Sequence, residues 1–200
     1  MKTYLSQYPA HVEVAMGDAR LSLPLLTIRP GTITLIALTA CISATNTGRN
    51  VMKSMFEQAT LDEVVRRINS LNAGSQHLWG KMGVAQMLAH CSTTLEAATG
   101  RRTPRRMLIG RILGPFFKKR YTDDSELSRN SPTHPSFVIT DPRDFAGEKQ
   151  RLLDLARGFS EGGEAKCTIL PHSFFGRLTA QEWGRGTYKH LDHHLRQFGA

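Results

Sequence analysis

Two histidines near the end of the chain have the spacing of a metal-binding pair. His190 and His194 lie four residues apart within residues 188–198, a segment with helical character. On an α-helix this spacing places both imidazoles on one face, one turn apart, where they can share a metal ion. His193 lies about 100° further round such a helix. We therefore expect His193 to be a bystander beside Asp192, and the pair to be half of a metal site.

A third histidine offers the other half. His90 lies inside a predicted helix that begins near Val84 and stops at Gly100. A lone histidine in the middle of a helix is more often a hydrogen-bonded core residue than a metal ligand. The residues alone leave both interpretations of His90 open. With His90, the site would have three neutral nitrogen ligands and an open fourth position, which is the pattern of catalytic zinc; imidazole also suits nickel and iron. Cys91 would point away from such a metal, into the core.

The composition is that of one globular domain. The chain has 200 residues, of which 40% are hydrophobic and 22% charged, and its formal net charge is +9. Its cysteines (Cys41, Cys91 and Cys167) are too few and too dispersed for a disulfide framework, which favours a cytoplasmic location. Basicity alone is a weak signal, and nucleic acid is not expected as a partner. No Gly-rich phosphate loop is present.

Residues 1–51 differ in character from the rest. Residues 21–43 are apolar, but prolines and an arginine interrupt them, and no run is long enough to span a bilayer. We predict that residues 1–51 are an extension that is disordered or not native, and that the domain comprises residues 52–200. The alternative is an export signal, because the residues ending at Cys41 resemble a lipoprotein cleavage box. The protein would then be a lipoprotein anchored through Cys41.

The body of the chain predicts four main helices with apolar residues at helical spacing. Strand alternation and internal repeats are not evident in it, so we predict an all-α fold. The pattern is that of a four-helix bundle with a long crossover between the second and third main helices. The predicted starts are Thr60 with Glu63 as a capping box, Val84, Asp141 followed by Pro142, and Thr179 with Glu182 as a second capping box.

Residues 101–120 are the main basic feature, with 8 basic residues and no acidic one among apolar side chains. One interpretation is an anionic partner: a nucleic acid backbone, an acidic membrane face or a charged substrate. The other, which we favour, is a crossover whose apolar side packs on the core while its charges are solvated. Gly110, Gly114 and Pro115 predict that the segment is broken into pieces.

Several motifs resemble the DinB/YfiT-like superfamily of metalloenzymes, and more narrowly a branch known only as a domain of unknown function. The resemblance covers about residues 52–200. It implies a four-helix bundle with a three-histidine metal site, one ligand from the second helix and two from the fourth. The motifs are Trp79-Gly80-Lys81-Met82, Gln86-Met87-Leu88-Ala89-His90, His172-x-Phe174-Phe175-Gly176 with Trp183, and the segment from Tyr188 to Gly199.

Carried over from that resemblance, the metal ligands are His90, His190 and His194. The resemblance further implies a metal-dependent enzyme, a thiol transferase or a hydrolase, acting on a small molecule such as a low-molecular-weight thiol. It implies no particular reaction, and His172 is left between lining the pocket and a structural role. The alternative function is a non-catalytic helical module that binds an anionic partner through residues 101–120. A homodimer is left open.

Overall fold

The computed structural model describes residues 52–200 in full and, before them, only the strands β1 (His11–Met16) and β2 (Ala19–Pro24). These two strands pair antiparallel, with His11 opposite Pro24. The hairpin was not predicted. The chain divides into two compact units, Met1–Thr47 and Gly48–Ala200. The predictions about the extension, including the lipoprotein alternative at Cys41, otherwise fall outside the described residues.

Residues 52–200 are helical, which confirms the all-α prediction for this part of the chain. The helices are α1 (Gln58–Ser70), α2 (Val84–Ala98), α3 (Leu108–Thr122), α4 (Phe145–Gly162) and α5 (Ala180–Gln197), with short 3-10 turns at Pro135–Phe137 and Glu164–Lys166. Helices α1 and α2 each contact both α4 and α5, while α3 packs against α5. Among the helices of the described residues, none is long and apolar enough to cross a membrane.

One apolar core lies between α1, α2, α4 and α5. Helix α2 supplies much of it, because nearly all of its central side chains are buried. Burying this apolar surface is what holds α2 and α5 side by side, at about 25 cal/mol per Å² removed from water. The largest fully buried side chains include Met55, Ile68, Met87, Leu88, Leu95, Leu152, Phe159, Leu191 and Leu195.

Two predicted helix starts are confirmed. Helix α2 begins at Val84, where the side chain of Gln86 accepts a hydrogen bond from the backbone N–H of Gly83. Helix α5 begins after Thr179, whose hydroxyl oxygen accepts from the N–H of Glu182 while the Glu182 carboxylate accepts from the N–H of Thr179. The start of α5 was predictable because its capping box is complete within four residues, whereas the start of α2 was predicted from the spacing of its apolar residues.

Two predicted starts are wrong. Helix α1 begins at Gln58, so Thr60 lies inside the helix, buried, and donates its hydroxyl to the Glu57 carboxylate at 3.2 Å. Helix α4 begins at Phe145 because Asp144, rather than Asp141, accepts the backbone N–H of Gly147. Competing polar side chains stand within three residues of both true starts, and the packing of the helix selects among them.

Helix α3 corrects two further expectations. Residues Leu108–Thr122 form one continuous helix despite Pro115 and two glycines. The glycines are the contact face: a Cβ on Gly114 would lie 2.1 Å from the carbonyl oxygen of Phe174, and one on Gly110 would lie 2.7 Å from the Phe174 Cα. The apolar side chains do not pack on the core. Six of them are 38% to 78% exposed: Leu108, Ile109, Ile112, Leu113, Phe116 and Phe117.

Two glycine substitutions in helix interiors are expected to act in opposite directions. Gly158→Ala in α4 meets no atom within 4 Å, so it should raise the free energy of unfolding by roughly 0.5–1 kcal/mol through helix propensity. Gly114→Ala must displace α3 from the Phe174 backbone and should lower stability by about 1–3 kcal/mol. Urea unfolding followed by circular dichroism measures both. Equal effects of the two substitutions would contradict the close contact of α3.

Candidate metal centre

The structure brings together the three histidines that the sequence analysis selected. His90 projects from α2, and His190 and His194 project from α5. Their candidate ligand atoms all lie within 4.8 Å of one another. The Nε2 atoms of His90 and His190 are 3.1 Å apart. Three nearby histidines with this geometry could hold a metal ion; their role as ligands stays a prediction.

The tautomer of His90 is set by a backbone carbonyl. The Nδ1 atom of His90 lies 2.8 Å from the carbonyl oxygen of Phe137, in the turn before α4. A carbonyl oxygen only accepts hydrogen bonds, so Nδ1 carries the proton and Nε2 presents a lone pair. This is the arrangement in which a histidine binds a metal through Nε2 while its other nitrogen is held by a hydrogen bond.

His194 is held in the same tautomer by a side chain whose own orientation is fixed. Its Nδ1 lies 2.9 Å from Oε1 of Gln197. The amide cannot be reversed, because its nitrogen donates to the carbonyl oxygen of Trp79 at 2.7 Å. Gly80 leaves room for this amide: its φ is +86°, and a Cβ there would lie 2.5 Å from the Gln197 nitrogen.

His190 completes the set through a threonine. Its Nδ1 lies 3.3 Å from the hydroxyl oxygen of Thr94 on α2. That hydroxyl donates its hydrogen to the carbonyl oxygen of Cys91 at 2.8 Å, so its oxygen is left to accept from Nδ1 of His190. In this tautomer, all three histidines carry the proton on Nδ1 and direct an Nε2 lone pair toward one another.

The convergence of three lone pairs fits a divalent cation. With the proton of His190 on Nδ1, the two bare Nε2 atoms 3.1 Å apart repel each other unless a positive charge lies between them; with that proton on Nε2, the same pair makes an N–H···N hydrogen bond. Two nitrogen ligands at about 2.0–2.1 Å from one ion, at a tetrahedral angle, lie about 3.3 Å apart. The spacing of the His90 and His190 nitrogens is close to that value, and three imidazoles leave a fourth position for water or substrate.

Burial keeps the three imidazoles in the neutral form that binds metals. Burial lowers the pKa of His90, against the opposing effect of the Phe137 carbonyl. Burial, followed by the charges of His194 and His90, holds the pKa of His190 well below its usual value. Burial and then the charge of His90 lower the pKa of His194 to about 3. None of the three has to lose a proton before a metal binds near neutral pH.

The site has one accessible side. His90 and His194 are buried, with 3% and 8% of their surface exposed, whereas His190 is partly exposed. The partly exposed side of the cluster is therefore the His190 side.

Neighbouring residues from the sequence analysis lie outside the cluster. His193 packs its ring edge-on against Trp79, with centroids 5.7 Å apart. Cys91 is buried in the core, and burial raises the pKa of its thiol, so it is not an activated nucleophile. His172 lines a separate cavity of about 200 Å³, together with Trp183.

Sequence reasoning missed the residues that orient the histidines. Thr94 and Gln197 carried a signal, since Thr94 follows His90 by four residues and Gln197 follows His194 by three, so each shares a helix face with a histidine. Phe137 carried none, because it acts through its carbonyl and every residue has one.

Comparison with known proteins places the chain in a family. The family described as "Protein of unknown function (DUF1569)" matches residues 51–200. The chain, with its helical domain and histidine cluster, belongs to this family. Neither the curated proteins nor the solved structures gave a match. Membership of the wider DinB-like superfamily stays a prediction.

Removing the Gln197 amide tests how the cluster is held. We expect Gln197→Ala to weaken divalent-metal binding about 10–100-fold, because His194 loses the acceptor that orients it. Gln197→Glu keeps an acceptor for Nδ1 and should retain more affinity than Gln197→Ala. Competition with a chromophoric chelator measures both.

The matched control is Arg196→Ala, because Arg196 is exposed and lies next to Gln197 without touching the cluster. It should bind metal as the unaltered protein does. Unchanged affinity in Gln197→Ala would show that the Gln197 contact does not support the site.

Proposed function

We propose that the domain formed by residues 52–200 is a metal-dependent enzyme whose three-histidine site activates a thiol or a water molecule. The observation that carries the proposal is the convergence of three Nε2 lone pairs, each fixed by a separate hydrogen bond to Nδ1. A helical domain gains no stability from lone pairs that face each other. The arrangement is accounted for by a bound cation.

The topology supports the DinB-like type within this proposal. Helices α1, α2, α4 and α5 contact one another in a closed ring, as a four-helix bundle requires. The histidines come from the second and the last helix of that ring, which is the distribution that the resemblance implies. Zinc is the first candidate metal because three neutral nitrogens and one open position suit it; nickel and iron are the alternatives.

The protein's own residues would hold and orient the reacting group. His90, His190 and His194 supply the ligands, and Phe137, Thr94 and Gln197 keep their rings from turning. The bound ion would supply Lewis acidity, lowering the pKa of a water or thiol at the fourth position. The buried surroundings of His90 and His194 would exclude bulk water there, and a small molecule such as a low-molecular-weight thiol would have to enter on the partly exposed His190 side.

Metal content is the direct test. We expect purified protein to hold about one divalent ion per chain, and His90→Ala, His190→Ala and His194→Ala each to lose most of it. Removal of the metal should also lower the melting temperature, because an ion that binds only the folded state stabilises it. Inductively coupled plasma mass spectrometry and thermal unfolding provide the readouts.

His193→Ala is the matched control, since it removes a neighbouring imidazole that lies outside the cluster, and it should retain the metal. A substoichiometric metal content that does not differ between His193→Ala and His90→Ala would overturn the proposal. Metal-loaded protein is then assayed for thiol transfer to an electrophilic small molecule and for ester or amide hydrolysis, with His194→Ala as the inactive reference.

A second candidate function rests on α3. Its six exposed apolar side chains share a helix with Arg111, Lys118, Lys119 and Arg120, and no acidic residue lies between residues 101 and 122. An exposed apolar face with flanking cations is the signature of a helix that lies on an anionic membrane surface. This candidate is a specific form of the anionic-partner alternative from the sequence analysis, with lipid as the partner.

Two other occupants of α3 fit less well. A nucleic acid backbone would use the cations but would leave the apolar side chains Ile112 and Phe116, 71% and 78% exposed, in water. A second copy of this chain would cover the apolar side chains but would place like charges of two α3 helices side by side. An anionic lipid surface satisfies both the apolar and the cationic residues.

Vesicle binding tests this candidate. We expect the protein to sediment with vesicles that contain phosphatidylserine, to do so less at high salt, and to bind pure phosphatidylcholine weakly. Ile112→Ser combined with Phe116→Ser should reduce binding at least about tenfold, because it removes the side chains that would insert.

Ile169→Ser is the matched control, since Ile169 is 93% exposed and lies outside α3. It should bind vesicles as the unaltered protein does. Vesicle binding that is absent, or that is equal in the α3 variant, would refute lipid as the partner; a concentration-dependent dimer in light scattering that the α3 variant abolishes would assign the face to self-association.

A further inference from the structure

A cavity of about 200 Å³ lies beside α2 and α5, apart from the histidine cluster. We call it the Arg106 cavity. By the same measure a single water needs only about 10–15 Å³, so the cavity has room for a small organic group. Its polar lining consists largely of hydrogen-bond donors: Arg102, Arg106, Thr103, His172, Ser173 and Trp183. No carboxylate is among the described residues that line it. We propose that the Arg106 cavity binds the carboxylate or phosphate group of a small ligand.

Trp183 provides a buried donor with no partner. Its side chain lines the cavity, only 3% of the residue is exposed, and its Nε1–H makes no hydrogen bond within the described residues. Buried donors are nearly always paired in folded proteins, because an unpaired one has lost its water without replacement. Trp183 is therefore a donor at the cavity for which the described residues supply no acceptor.

Arg106 provides a charge that the described residues do not neutralise. Its Nε–H is also buried without a partner, and its terminal nitrogen makes one long contact, 3.5 Å to the carbonyl oxygen of Gly110. No carboxylate of the described residues lies within ion-pair distance of Arg106. Arg102 differs, because Glu96 accepts from it at 3.4 Å. A planar guanidinium with free donors is the group that proteins use most for carboxylates and phosphates.

His172 adds a third donor. Its Nδ1 accepts the backbone N–H groups of Phe174 and Phe175 at 3.1 and 3.2 Å, so the ring proton must be on Nε2. Burial, followed by the positive charge of Arg106, lowers the pKa of His172 to about 4. The imidazole is therefore neutral near pH 7 and donates from Nε2. Two arginines, with no carboxylate among the described residues that line the cavity, favour an anion over a cation.

The cavity lies along the same helix interface as the histidine cluster. Trp183 precedes His190 by seven residues on α5, and Ala97, which also lines the cavity, follows His90 by seven residues on α2. Seven residues are two helical turns, or about 10 Å. A ligand with its anionic group in the Arg106 cavity could place a reacting group at the histidines about 10 Å away. This assignment to the substrate rests on the proposed function, whereas anion binding itself does not.

Indole NMR locates the binding. Sodium phosphate and sodium propionate are titrated separately into the full chain at constant ionic strength, with sodium chloride as the reference. We expect at least one of the two anions to shift the Nε1–H resonance of Trp183 in a saturable manner, and to leave that of Trp79 unmoved. A preference for phosphate or for propionate then distinguishes the two ligand classes.

Three variants test the contacts. Arg106→Gln should weaken the preferred anion at least about tenfold, because a charged hydrogen bond is lost. Arg105→Gln, one residue away, exposed and not lining the cavity, is the matched control and should bind as before. Trp183→Phe keeps the ring but removes the donor, and should also weaken binding, measured on the backbone amide of Ser173. If Arg106→Gln does not fold, the Trp183→Phe result alone tests whether the anion binds in the Arg106 cavity.

Failure of this inference is distinguishable from failure of the metal site. His90→Ala should lose the metal but keep anion binding. Saturable shifts no larger than those with chloride, or equal affinity in Arg106→Gln, Trp183→Phe and the unaltered protein, would overturn the anion site whatever the metal content. Anion binding in a protein that holds no metal would retain the site and remove its assignment to the substrate of a metalloenzyme.

Discussion

The proposed metal site depends on a single electrostatic constraint, which is that three imidazoles present lone pairs to the same small volume. Such an arrangement is unfavourable without a cation, so each ring of the proposed site has to be kept from turning its N–H inward. Three acceptors do this, and they come from different parts of the chain: the Phe137 carbonyl before α4, the Thr94 hydroxyl on α2 and the Gln197 amide on α5. The fold of the domain therefore positions these three acceptors as well as the three histidines.

This constraint gives physical roles to residues that the sequence analysis named only as parts of motifs. The Trp79-Gly80 pair belongs to the site because the Trp79 carbonyl fixes the Gln197 amide and Gly80 leaves space for it. The Gln86 side chain accepts from the N–H of Gly83 at the start of α2 and also donates to the carbonyl oxygen of Asp141. It thereby ties the helix that carries His90 to the segment that leads into α4.

The parts of the site that could be predicted are those whose signal is local. His190 and His194 were found by a spacing of four, and the start of α5 by a capping box complete within one turn. Thr60 and Asp141 offered equally good local signals and were wrong, because α1 begins two residues before Thr60 and because Asp144 caps α4 in place of Asp141. The Phe137 carbonyl could not be predicted at all. The contact of this carbonyl with His90 depends on where residues 135–137 lie in the fold, and that position cannot be deduced from the types of their side chains.

The basic segment, residues 101–120, is a second case in which the sequence does not predict the surroundings of its residues. Its composition makes it one feature, but the fold places its cations in different environments. Arg102 and Arg106 line the cavity beside α2 and α5, whereas Arg111 and Lys119 lie on the exposed helix α3. The two environments share a support, since the N–H of Met107 donates to the Ser173 carbonyl at 2.9 Å and the glycines of α3 rest on Phe174. Segment 172–176 therefore holds α3 on one side and forms the cavity wall on the other. We therefore expect a displacement of α3 to move the cavity lining at His172 and Ser173 as well.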